Sequence, residues 1–119
     1  MTQQELRELD AWIAEKVMGW KPFVSGKTSS IKGTFWLDSE HKVVASPEFQ
    51  WTRFDPTTDR AAAMQVLEKC ADRVGVRIDR YNGRAPNVWY IRATDGRLAE
   101  AEAPTLPIAI CLFAKKLFS

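Results

Sequence analysis

Histidine and cysteine are scarce in this chain, which has one imidazole, His41, and two thiols, Cys70 and Cys111, among 119 residues. A zinc cluster or a disulfide framework needs several such side chains at short spacing, and two distant cysteines in apolar helical settings provide neither. Excess charge of one sign is also missing. With 17 Lys plus Arg against 15 Asp plus Glu, the net charge is only +2, which excludes a dedicated nucleic-acid coat and a polybasic membrane binder. Any anion site must be local. The longest apolar run, Leu106 to Ala114, falls well short of the ~20 residues that a membrane-spanning helix requires. The chain opens on polar Thr2, Gln3, Gln4 and Glu5, so no secretory leader is read there and a reducing cytoplasm is the expected setting. What is present is an ordinary globular composition, 45% hydrophobic, in a length that fits one domain spanning 1–119.

Leu6, Leu9, Ile13 and Val17 recur at steps of three and four with Glu8, Asp10, Glu15 and Lys16 between them, which predicts an amphipathic helix stopped near Gly19. The Ser, Gly, Lys and Thr content of Pro22 to Gly33 reads as a loop, and Thr34 to Leu37 with Lys42 to Ala45 reads as a hairpin. Phe49 to Phe54 is either a third strand or an aromatic-rich loop. Asp55 to Asp59 offers caps for a second helix over Ala61 to Val74, with Ala63, Val66, Leu67, Cys70 and Val74 as its buried stripe and Gly75 as its end. Strands are expected at Val76 to Tyr81 and Val88 to Arg92, followed by a small-residue acidic linker, Leu98 to Ala103. A last helix capped by Thr105 reaches Leu117. It is apolar around nearly its whole circumference, so it is either central or an oligomer interface. The order predicts an α+β layered domain with a small, mainly antiparallel sheet and three helices.

Most apparent motifs dissolve on inspection. Ser25-Gly26-Lys27-Thr28-Ser29 resembles the end of a phosphate-binding loop, yet Lys21 occupies the place of its first glycine and no strand–loop–helix context surrounds it. His41 sits in a predicted turn without metal-ligating partners, and no nucleophile or catalytic triad is recognisable, so neither metal, cofactor nor catalytic residue is expected. What remains is a concentration of arginines, Arg53, Arg77, Arg80, Arg84, Arg92 and Arg97, among Trp51, Tyr81, Trp89 and Tyr90. Arginines with aromatics grip phosphate and stack a base, although alternation alone equally describes a solvated sheet face. The expected ligand site joins the N-terminus of the second helix to these arginines. Thr57 and Thr58 present hydroxyl and amide donors, Arg53 approaches from the preceding segment, Arg80 and Arg84 from the hairpin, and Trp51 offers a stacking face. Asp59 opposes an anion there, and the Lys27 to Lys32 loop is the alternative location.

Three ordered blocks carry a family resemblance: Leu9-Asp10-Ala11-Trp12-Ile13-Ala14-Glu15-Lys16-Val17-Met18-Gly19-Trp20; Asp59-Arg60-Ala61-Ala62-Ala63 with Val66-Leu67-Glu68-Lys69; and Ala103-Pro104-Thr105-Leu106-Pro107-Ile108-Ala109-Ile110-Cys111-Leu112. Together they resemble the phage ABA sandwich domain family of small phage and prophage proteins. The resemblance implies a three-layer α/β/α sandwich with no established enzymatic activity. Met64 stands where such proteins tend to carry an aromatic, and the resemblance does not extend to Lys21–Ser46. The expected function is that of a non-enzymatic accessory protein in the host cytoplasm. It would sequester a small anionic or nucleotide-like host molecule, such as an immune signal, as a homo-oligomer assembled through the last helix. The alternative is a protein-binding inhibitor or modulator of a host or phage factor, since Trp, Tyr and Arg are also interface hot-spot residues.

Overall fold

The computed structural model describes residues 1–24, 34–37, 43–45, 54–81, 88–94 and 99–119. Helix α1 spans Gln3–Lys16. Its start is fixed by reciprocal bonds, with Glu5 N–H donating to Thr2 Oγ1 at 3.1 Å and Thr2 N–H donating to Glu5 Oε1 at 3.2 Å. Two donors that a helix terminus leaves open are thereby satisfied. Leu9, Ile13 and Ala14, with Val17 at its C-cap, turn inward as the periodicity predicts. After the helix the chain turns through Gly19 at φ +75°, a left-handed conformation natural to glycine, and Trp20 N–H donates back to the Ala14 carbonyl.

Strands β1 (Lys21–Val24), β2 (Thr34–Leu37) and β3 (Val43–Ala45) form an antiparallel sheet in chain order, Lys21 facing Leu37 and Val24 facing Thr34. The β2–β3 hairpin is as expected. β1 begins where a loop was expected, and Pro22 is compatible with it because, among the described residues, β1 is an edge strand, the place in a sheet where a missing N–H is tolerated. Helix α2 spans Arg60–Ala71, with Asp59 as its N-cap accepting from Ala61 N–H at 3.1 Å. It ends three residues sooner than its apolar stripe suggests. Val74 is nevertheless buried, its N–H still donating to the Cys70 carbonyl in the turn beyond.

A second antiparallel sheet follows, β4 (Val76–Tyr81), β5 (Val88–Ala93) and β6 (Glu100–Ala103), again in chain order. β6 replaces the expected acidic linker. Its Glu-Ala-Glu-Ala sequence has strand period, and burial follows it: Ala101 and Ala103 point inward while Glu100 and Glu102 remain exposed. Helix α3 (Leu106–Phe118) packs on β5 and β6 and also against α1 and α2. Thr105 occupies its N-cap without a side-chain cap bond, and Pro107 is accommodated in the first turn. Leu106, Ala109, Ile110, Cys111, Phe113 and Ala114 are buried, and Ile108, Leu112, Leu117 and Phe118 pack against the same core. The all-round apolarity of α3 is thus answered within the chain: it is the central element of an α+β domain.

Candidate functional site

Where α1 meets the turn before α2, the structure forms a cleft of about 200 Å³ lined by Gln3, Leu6, Arg7, Asp10, Asp55, Thr57 and Thr58. Its floor is a buried polar pair. Asp10, 8% exposed, accepts Thr57 N–H on Oδ1 at 2.9 Å and the Thr57 hydroxyl on Oδ2 at 3.0 Å. Thr57 itself is 1% exposed. A carboxylate from α1 therefore occupies the position, at the threshold of α2, where an external anion was expected. Thr58 is exposed, and its N–H donates to the Asp55 carbonyl at 3.0 Å. With two carboxylates against one guanidinium, this cleft disfavours anions.

The second sheet sorts its arginines and aromatics by face. Directly opposed residues share a face, so Val76, Ile78 and Arg80 of β4 align with Ala93, Ile91 and Trp89 of β5 on the side that carries α3. Arg77 and Asp79 align with Arg92 and Tyr90 on the other side. That outer face is internally paired. Arg77 Nε lies 3.1 Å from Asp79 Oδ2, the Tyr90 hydroxyl donates to Glu100, and Arg92 stands opposite Glu100 in register. On the inner face the Arg80 guanidinium sits 5.0 Å from the centre of the Trp89 ring. Arg80 is exposed, and the half-buried indole beneath it is braced by Ala103 in register on β6. A guanidinium held over an indole face keeps N–H donors available for an anion.

Neither thiol is poised for chemistry. Burial pushes Cys70 up to about 12, and Cys111 is raised further by burial together with the charges of Asp10 and Cys70. Among the described residues no group of three or more His, Cys, Asp or Glu is placed to hold a metal ion. No helix among them is long and apolar enough to cross a membrane.

The family model of the phage ABA sandwich domain matches residues 11–114. The chain belongs to the phage ABA sandwich domain family. The fold of this ABA sandwich protein is shared with the 2.0 Å crystal structure of a phage protein from Bacillus cereus ATCC 14579, at a TM-score of 0.65 and 20% identity, covering 98% of this chain and 89% of that one. No curated protein matches it.

Of the six ligand-site residues expected in the ABA sandwich protein, the structure places three. Thr57 and Thr58 line the α1–α2 cleft, and Arg80 lies on the inner face of the second sheet and does not line that cleft. Trp51, Arg53 and Arg84 lie outside the described residues, as does the Lys27–Lys32 loop. Two residues that matter were missed. Asp10 reads as a solvent-side residue by its charge, yet it stands four positions after Leu6 and three before Ile13, in register with the buried stripe. Trp89 was counted among the cluster aromatics but not as the platform for Arg80, a pairing that depends on cross-strand register.

Proposed function

We propose that this ABA sandwich protein is a bacteriophage accessory protein that acts by stoichiometric binding, without turnover, and removes a small anionic molecule such as a nucleotide-type host signal. The observation that carries this reading is the Arg80–Trp89 unit, an exposed guanidinium seated 5.0 Å over an indole, which supplies both charge-assisted donors and a stacking surface. Supporting it, the Asp10 carboxylate of the α1–α2 cleft is committed to holding the turn before α2, and both described thiols are held protonated by burial. The cleft itself, about 200 Å³, is smaller than the roughly 300 Å³ at which small-molecule sites begin. Arg53, Arg84 and Trp51 remain part of the proposed site as further cations and a further ring.

The test is calorimetric titration of the folded protein with a panel of linear and cyclic nucleotides, followed by heat denaturation and analysis of the released ligand. Intact ligand is expected, and Arg80→Ala is expected to weaken binding roughly 10- to 150-fold, the equivalent of one charge-assisted contact. Chemically altered nucleotide, absent from a heat-killed control, would overturn binding without turnover. Unchanged affinity of a folded Arg80→Ala variant would remove the Arg80–Trp89 unit from the site.

A further inference from the structure

β4 is the first strand of its sheet, and among the described residues it pairs only with β5. Its free side can be identified from the ladder. Thr94 N–H donates to the Gly75 carbonyl at 2.9 Å, which makes Gly75 and Thr94 a hydrogen-bonded pair one step beyond Val76 and Ala93. In an antiparallel ladder such pairs alternate. Arg77 and Asp79 therefore direct their backbone groups toward β5, while Val76, Ile78 and Arg80 direct theirs to the open edge. Ile78, in the middle of that edge, is also 37% exposed on the inner face, where α3 covers β5 and β6.

Edge strands are commonly guarded by charge, and β4 carries Arg77, Asp79 and Arg80. Their order nevertheless makes the strand complementary to itself. Two copies placed antiparallel about a two-fold axis at Ile78 set Ile78 against Ile78, Arg77 against Asp79 twice over, and Val76 against Arg80 twice over. The residues with outward-facing backbone groups then form the hydrogen-bonded pairs, as an antiparallel ladder requires. The neighbouring registers fail on charge: centring on Arg77 opposes two guanidinium groups, and centring on Asp79 opposes two carboxylates.

We propose that a second copy of this chain docks on β4 in the Ile78-centred register, joining two three-stranded sheets into one continuous six-stranded sheet. The interface is isologous, each protomer contributing the same patch. Ile78 gains apolar cover, the open backbone edge is closed, and each Arg77–Asp79 pair within a strand becomes part of a four-charge cluster across the axis. The Arg80 side chains of both copies share one face of the joined sheet. This assembly stands independently of whether a nucleotide is bound.

Charge reversal tests it on the intact protein. Sedimentation equilibrium from micromolar to sub-millimolar concentration is expected to show a dimer for the unaltered chain. Arg77→Glu places Glu opposite Asp79 and Asp79→Arg places Arg opposite Arg77, so each is expected to weaken association at least about tenfold. The double variant Arg77→Glu/Asp79→Arg restores opposite charges across the axis and is expected to recover the dimer. Ile78→Lys, a change at a partly exposed position, is expected to be a folded monomer by circular dichroism. An unaltered chain that stays monomeric, or a dimer indifferent to both single reversals and to Ile78→Lys, overturns the proposal. Two weakened single variants without recovery in the double variant overturn the register.

Discussion

Removing the Asp10 carboxylate strands two buried donors at once, the Thr57 amide and the Thr57 hydroxyl. Such groups are costly to leave without a partner, and those bonded to a charge more so. Asp10→Ala is expected to lower unfolding free energy by about 3 kcal/mol, and Asp10→Asn by less because one side-chain oxygen remains as acceptor. Urea titrations of the two variants check this order. Thr57→Val added to Asp10→Ala should then cost less than it does alone, the non-additivity that marks a shared interaction. At this scale the sequence is legible only in part. The spacing of Asp10 from Leu6 and Ile13 places it on an inward face, but the threonine that makes its burial tolerable lies 47 positions away, and no local pattern identifies it.

The helices α2 and α3 meet across a layer that contains both thiols. Each is buried and holds its proton above the ordinary value of 9.0, Cys70 up to about 12, and Cys111 is raised likewise. The unfolded chain releases these protons near the ordinary value and the folded chain does not, so folding binds more protons than unfolding in this window. Stability is therefore complete below about pH 9 and falls as pH rises toward 12, with a slope of about 1.4 kcal/mol per pH unit for each thiol. Urea midpoints measured through this range should fall more steeply for the unaltered chain than for Cys70→Ala/Cys111→Ala, and equal slopes would show the thiols to be uninvolved. The elements themselves were largely legible. α1, α2 and α3 follow from apolar periodicity with capping residues, β2, β3, β4 and β5 from β-branched and aromatic runs between turn residues. β6 was hidden because alanine and glutamate have low strand propensity, and only pairing with β5 and packing under α3 makes them a strand. β1 was hidden because its residues run into the Ser-, Gly-, Lys- and Thr-rich stretch from Pro22 to Gly33, a composition that reads as a loop.

At the scale of the molecule, the chain order and the contact order disagree. β4, β5, β6 and α3 follow one another in sequence and pack on their immediate neighbours, a compact unit built from short connections. α1 stands at the other end of the chain; it joins that unit by packing on α3, and the Asp10–Thr57 bonds tie it to the turn before α2. Contacts that close long loops incur their entropy before they return any enthalpy, so we expect the C-terminal unit to gather before the folding barrier and α1 to dock after it. Stopped-flow kinetics on Asp10→Asn should then show faster unfolding with the refolding rate almost unchanged, and a slowed refolding limb would put α1 in the nucleus instead. The buried carboxylate is on this account a latch rather than a guide. It has little influence on how quickly the protein forms and a large one on how long, once formed, it stays closed.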